Sequence, residues 1–182
     1  MFLLAFAPLP GAWLAHAPVL RFDLLPTLDR PIDGGATLRG RRLLGDNKTW
    51  RGALVMFLGV LCAALLLSLW PAYWDALPDG IRDAGPAAFG ALVGIGTVAG
   101  ELPNSFLKRR LGIAPGATRR SPAGVLLALL DQGDVVLGIW VALLPIWVMT
   151  PAEAVAAFAA VAAVHLVTNF VGYAIGARRT RI

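Results

Sequence analysis

The stretch LLALLDQGDVVLGIW, Leu126–Trp140, decides how the chain is read: it is apolar enough to cross a bilayer, yet it holds two aspartates, Asp131 and Asp134. The whole sequence has the same apolar character. Of its 182 residues, 58% are hydrophobic and 15% charged, and the mean hydropathy is +0.71, which is the composition of an integral membrane protein. A helix needs about 20 apolar residues to cross the hydrocarbon core. Five windows answer to that: Met1–Leu20, weakened by Pro8, Pro10 and Pro18; Gly52–Trp74; Ala84–Gly100, short and Gly-rich; Ser121–Thr150, interrupted by the aspartates; and Ala154–Ala177. The expectation is an all-α integral membrane protein, a single domain over residues 1–182 formed by a compact bundle of about five transmembrane helices.

Charge orients the bundle. Arg21–Arg51 holds seven Lys or Arg, Lys108–Arg120 five and the tail after Ala177 three, whereas Asp75–Asp83 holds only Arg82. By the positive-inside rule the three basic segments are cytoplasmic, which puts the N-terminus outside and the C-terminus inside, in the inner (cytoplasmic) membrane of the cell. Trp70, Tyr73 and Trp74 then read as an outer interfacial belt. The net charge of +5 is explained by topology and not by nucleic acid, because no aromatic residues are interleaved with the cations as stacking platforms. Ala15-His16-Ala17 looks like a secretory cleavage site, but no basic residue precedes the apolar core, so the first window is read as a span. The single cysteine, Cys62, excludes an intramolecular disulfide and reads as small core filler. His16 and His165 lack partners at metal-ligand spacing and read as packing or hydrogen-bonding residues.

Glycines four apart, Gly90/Gly94, Gly96/Gly100 and Gly172/Gly176, let helix backbones approach closely in lipid. Such packing holds a bundle together and could also hold a homodimer.

The aspartates need a different explanation. A carboxylate at a helix centre costs roughly 2.5–3.5 kcal/mol on insertion scales. Asp131 and Asp134, at i and i+3, share one helix face. Two hard oxygen ligands beneath basic loops are what a magnesium ion on a polyphosphate requires. The segment GELPNSFLKRRLGIAPG, Gly100–Gly116, adds Glu101, Asn104, Ser105, Lys108 and Arg109. Pro103 predicts a break near Glu101, with Asn104 or Ser105 capping a new helix whose N-terminus favours phosphate; Glu101 is expected as a third metal ligand or as the group that orients a lysine. LLGDNKTWRG, Leu43–Gly52, places Asn47, Lys48, Thr49 and Arg51 at the start of the second span, again suited to phosphate.

These segments together resemble the CDP-archaeol synthase family of membrane cytidylyltransferases, through PIDGGATLRGRRLLGDNKTWRG from Pro31, GELPNSFLKRRLGIAPG from Gly100 and LLDQGDVVLG from Leu129. More distantly the chain is similar to bacterial CDP-diacylglycerol synthases: Ser105, Lys108 and Arg109 match their Ser-x-x-Lys-Arg element, and Asp131 and Asp134 their paired acids. The His-Gly-Gly element of that signature is replaced by Ala128-Leu129-Leu130. The resemblance implies attack of a lipid phosphomonoester, a diether or diacyl glycerol phosphate, on the α-phosphorus of CTP, giving a CDP-lipid and pyrophosphate. Asp131 and Asp134 would hold Mg2+; Lys48, Arg51, Lys108 and Arg109 would grip phosphates; Asn47, Thr49, Asn104 and Ser105 would hydrogen-bond to nucleotide or phosphate; and Glu101 would stand beside Lys108 and Arg109 in the catalytic group. The rival readings are a transporter or channel lined by Glu101, Asp131 and Asp134, and a non-catalytic lipid-binding protein.

Overall fold

The computed structural model describes the backbone of residues 2–114 and 122–174, and the side chains of residues 2–114 and 133–164. A 3-10 turn, Phe2–Phe6, leads into α1, Leu9–Arg21. A long polar segment follows, holding a two-residue-per-strand antiparallel hairpin, β1 (Thr37–Leu38) and β2 (Arg41–Arg42). Next come α2 (Trp50–Ser68), the short α3 (Pro71–Trp74), α4 (Asp79–Arg110), α5 (Pro122–Leu143) and α6 (Pro151–Ala174).

Local chemistry sets the helix starts. Thr49, in extended conformation, caps α2 by accepting from the Gly52 amide on Oγ1 at 3.2 Å. Thr150 and Glu153 form a reciprocal box at the start of α6: the Thr150 amide donates to Glu153 Oε2 at 2.8 Å and the Glu153 amide to Thr150 Oγ1 at 3.3 Å. Proline occupies the first position of α5 and α6, where its missing N–H has no helical partner to lose. Among the described residues three helical stretches, Phe2–Arg21, Trp50–Ser68 and Asp79–Arg110, are long and apolar enough to cross a membrane by length and composition. The remaining two apolar windows of the sequence coincide with the 22-residue α5 and the 24-residue α6.

The third window departs from expectation. It forms one 32-residue helical element that runs through Pro103 to Arg110, so GELPNSFLKRR is helix and not a loop. The break falls at Gly85 instead, at φ 83° and ψ 162°. Pro86 excludes helical geometry from the residue before it, and only glycine takes that positive φ without strain. At Pro103 the Ala99 carbonyl loses its helical donor, but α5 lies along this part of α4 and holds both sides of the proline in one helix.

Consecutive long helices pack in series, α1 on α2, α2 on α4, α4 on α5 and α5 on α6, with α6 closing against the Phe2–Phe6 turn. Phe89, Ile81, Val93, Ile139 and Leu143 are fully buried at the centre, while Leu14, Leu66, Leu69, Val141 and Val155 point outward. An apolar exterior of this kind matches hydrocarbon solvent and not water. Cys62 is exposed on this exterior and fills no core. The aromatic belt is also revised: Tyr73 is buried, donating its hydroxyl to the Leu4 carbonyl at 3.1 Å, and Trp74 packs edge-on to Phe89, which leaves Trp70 as the exposed ring.

Glycines make the closest approaches. Gly90 and Gly94 lie against Leu61 and Phe57 of α2. Gly96 and Gly100 of α4 face Gly138 of α5 so tightly that a Cβ on Gly138 would stand 2.6 Å from the Gly100 Cα, and one on Gly96 would stand 2.6 Å from the Ile139 Cα. Gly11 and Gly59 make a similar seam between α1 and α2, one that no spacing within a single segment reveals. The expected Gly172/Gly176 pair lies outside the residues whose side chains are described. Gly138→Ala is therefore expected to force α4 and α5 apart and to destabilise the bundle by about 1–3 kcal/mol, read as a lower thermal midpoint in detergent. Cys62→Ala on the exposed face serves as the control, and equal midpoints for the two variants would remove the seam from the account.

Candidate active site

Glu101, Asn104, Ser105 and Lys108 stand at i, i+3, i+4 and i+7 near the end of α4 and so form one stripe. Asn104 and Ser105 are buried, with 7% and 9% of their surface exposed. Across from the stripe, Asn104 Nδ2 donates to Asp134 Oδ2 on α5 at 3.0 Å, and Asp134 Oδ1 accepts the Val135 amide at 2.7 Å. The glycine seam puts the two helices at this distance: a Cβ on Gly100 would run into the Asp134 carbonyl. Asp131 lies one turn before Asp134 on α5, and its side chain lies outside the described residues.

Lys48, from the polar segment before α2, forms an ion pair with Glu101, and both side chains are largely withdrawn from solvent. The lysine that Glu101 pairs with is the one 53 positions earlier in the chain. Lys48, Glu101, Asn104 and Asp134 link the first polar segment, α4 and α5 in one place. The helix-terminus expectation is corrected. Ser105, Lys108 and Arg109 sit at the C-terminal end of α4, where cations offset the negative pole of the helix, so no backbone N–H groups there favour an anion.

The polar segment 22–49 is folded upon itself. Arg51, buried in the first turn of α2, reaches back to Asp23 at 2.6 Å, to Asp29 at 2.7 Å and to the Leu24 carbonyl at 3.3 Å. Its guanidinium therefore clamps the segment. Asp33 accepts from the Gly35 amide at 3.0 Å, the Leu44 amide at 2.9 Å and Arg42 at 2.7 Å. Arg110 crosses from α4 to donate to the carbonyls of Leu38 at 2.6 Å, Arg41 at 3.0 Å and Arg42, and Arg41 donates back to the Arg110 carbonyl. Thr49 is occupied as the α2 cap, and Asn47 is exposed.

Two cavities flank this cluster. A basic one of about 270 Å³ lies between the hairpin and the end of α4, bounded by Arg41, Arg42, Asp46 and Arg109 among others. Arg109 is buried, and its Nε and Nη1 have no hydrogen-bond partner. An apolar one of about 620 Å³ runs between α1 and α6, walled by residues such as Phe6, Trp13, Met56 and Val161, and ends on His16, Thr97 and Glu101. Sequence reading missed Asp33, Arg41, Arg42 and Arg110. Asp33-Gly34-Gly35 is a turn signal that could have pointed to the first; the arginines were absorbed into the topology count.

The CarS-like, CDP-archaeol synthase family model matches residues 21–181. The chain belongs to the CDP-archaeol synthase family. A CDP-archaeol synthase of Halobacterium salinarum is 43% identical over 156 residues, covering 82% of this chain and 81% of that one. Those of Methanosarcina mazei and Aeropyrum pernix are 34% and 39% identical, again over 82% of this chain and over 89% and 77% of theirs. A solved intramembrane enzyme for archaeal membrane lipids biosynthesis superposes with a TM-score of 0.66 at 34% identity, covering 91% of this chain and 92% of that one. As a member of the CDP-archaeol synthase family the protein is an enzyme, a CTP-dependent cytidylyltransferase of the membrane.

The acidic anchor of the polar segment has a testable pH signature. Burial works against ionisation of Asp33, but the Leu44 amide, the Arg42 guanidinium and the Gly35 amide outweigh it and hold the carboxyl below its ordinary value of 3.8. A depressed folded value means that this stabilisation is fully present above pH 3.8 and is lost as the pH falls through the lower folded value. Asp33→Asn is expected to raise hydrogen exchange at the Leu44 amide about tenfold at neutral pH, the equivalent of a charged hydrogen bond worth about 1.5 kcal/mol. Unchanged exchange would show that the segment is held without Asp33.

Proposed function

We propose that the protein transfers the cytidylyl group of CTP to the phosphomonoester of a diether glycerol lipid with unsaturated isoprenoid chains, releasing pyrophosphate. The observation that supports this most is that one stripe of α4 carries Glu101, paired with Lys48, and Asn104, bonded to Asp134, while Glu101 itself lines the apolar cavity. One substrate is water-soluble and the other keeps its phosphate at the membrane surface, so a site for both must be polar and open onto apolar walls at the same depth. On this reading the apolar cavity seats the lipid chains, and the basic cavity by Arg109 takes phosphates of CTP. The site lies on the side of the basic segments, which is the cytoplasmic side.

In the reaction an oxygen of the lipid phosphate attacks the α-phosphorus of CTP. The new P–O bond forms as the bond from that phosphorus to the bridging oxygen breaks, and pyrophosphate leaves with the bridging oxygen and its electron pair. The second pKa of a phosphomonoester lies near 6, so the nucleophile is already ionised at neutral pH and needs no base. The protein therefore has to align two anions and offset their repulsion. Lys108 and Arg109 do this by charge; Glu101 aims the Lys48 ammonium by ion pairing. Arg51 and Thr49 act indirectly, by fixing the segment that carries Lys48. Asn104 orients Asp134, and Asn47 and Ser105 are left as hydrogen-bonding groups to substrate.

Asp131 and Asp134 would hold Mg2+. Two carboxylates from one helix face are a donor set that suits magnesium when substrate phosphates supply the remaining oxygens. When bound, the ion supplies Lewis-acid charge neutralisation on the triphosphate.

Purified protein with magnesium, labelled CTP and a panel of ether and ester lipid phosphates tests the reading by mass spectrometry of the products. CDP-diether lipid and pyrophosphate are expected in equal amounts, and Asp134→Asn is expected to lose about 100-fold or more in turnover while inserting normally. No nucleotide consumption with any lipid phosphate would overturn the reading, and full activity in Asp134→Asn would overturn the metal assignment.

A further inference from the structure

Among the described residues the apolar cavity has three polar residues in its lining, His16, Thr97 and Glu101. Two of them are already engaged. Thr97 donates its hydroxyl to the Val93 carbonyl at 2.8 Å within its own helix, and Glu101 is paired with Lys48. His16 is different: its Nδ1 is buried without any hydrogen-bond partner. Buried polar atoms in folded proteins almost always have one, so an orphan on a residue that lines a cavity asks for its partner from a ligand.

The place of His16 on α1 says which ligand atom. Leu9, Ala12, Trp13 and His16 stand at i, i+3, i+4 and i+7, and all four line the cavity. The face is apolar from its start and becomes polar only at His16, beside Gly52 in the first turn of α2, with Glu101, Arg51 and Lys48 as the charged groups around the ring. A lipid lying along this face with its chains on Leu9 and Trp13 brings its first oxygens, those of the glycerol backbone, to His16. An ether oxygen accepts hydrogen bonds and cannot donate, so the imidazole must carry its proton on Nδ1 to meet it. We propose that His16 is a positioning residue that donates from Nδ1 to a glycerol oxygen of the lipid acceptor and so sets how deep the lipid sits. This rests on the reading of the cavity as the acceptor's seat. His16 also precedes residues 21–181, the part of the chain that the family model matches, so nothing in that match assigns it a role.

The test is steady-state kinetics of the full-length protein with His16→Ala and His16→Asn, since the asparagine amide can place a donor near the position of Nδ1. For His16→Ala the KM for the diether phosphate is expected to rise five- to tenfold while the KM for CTP stays within twofold, and His16→Asn is expected to recover most of the loss. Equal rises in both KM values, an unchanged lipid KM, or an asparagine variant no better than alanine would overturn the proposal. A second measurement needs no turnover: the rise in thermal midpoint produced by the diether glycerol, with and without its phosphate, is expected to shrink in His16→Ala for both forms. Shrinkage confined to the phosphorylated form would move the partner from the glycerol oxygens to the phosphate and so refute the assignment. A wild type that makes no CDP-lipid defeats the parent reading of the function; an active wild type whose lipid KM ignores His16 defeats only this inference.

Discussion

The structure depends on one contact that involves no side chain on one of its partners: the backbone carbonyl of Asp134 lies directly against Gly100. Any larger residue at position 100 would push α5 away from α4, and with it the Asp134 carboxylate from the Asn104 amide that holds it. In lipid there is little hydrophobic drive between helices, so close backbone packing must supply the cohesion that water supplies to soluble cores. The same seam thus holds the bundle and places the acid. An acidic group within an apolar helix is tolerated here because the neighbouring helix presents a hydrogen-bond donor at that depth.

From that seam the site extends outward by polar links between segments far apart in sequence. Arg51 ties Asp23 and Asp29 to α2, and Asp33 and Arg110 pin the hairpin over the end of α4. With the segment so fixed, Lys48 points inward to Glu101. Two unlike environments then meet at the cluster, guanidinium groups on one side and an apolar cavity on the other. A site that joins a soluble nucleotide to a membrane lipid needs such a meeting of media, which is why the proposed reaction is assigned to this cluster.

Much of this was legible from one chain. Hydropathy alone located the helices α1, α2, α4, α5 and α6, because a long apolar run in lipid must satisfy its backbone internally. The paired aspartates were legible because an acid in such a run is costly. Pro103 misled, since a proline's local penalty says nothing of the α5 surface that keeps the helix continuous, whereas the dipeptide Gly85-Pro86 held a break that hydropathy overlooked. The role of Arg51 was hidden for a related reason: a cation beside a membrane serves topology, ligand or a distant carboxylate equally well on paper, and only the fold brings Asp23 and Asp29 to it. Glycine spacing within α4 was readable, but the Gly11–Gly59 seam joins two segments and has no signature within either.

The central claim is that the Asn104–Asp134 bond across the seam prepares a carboxylate for phosphate chemistry. It is tested most directly by a double-mutant cycle on the affinity for CTP in the presence of magnesium. Asn104→Ala is expected to weaken binding about tenfold or more in the wild-type background, the effect of losing a group that orients the proposed metal ligand, and to cost almost nothing further once Asp134 is already asparagine. Losses that simply multiply would mean that the two residues act independently, and the account would be contradicted.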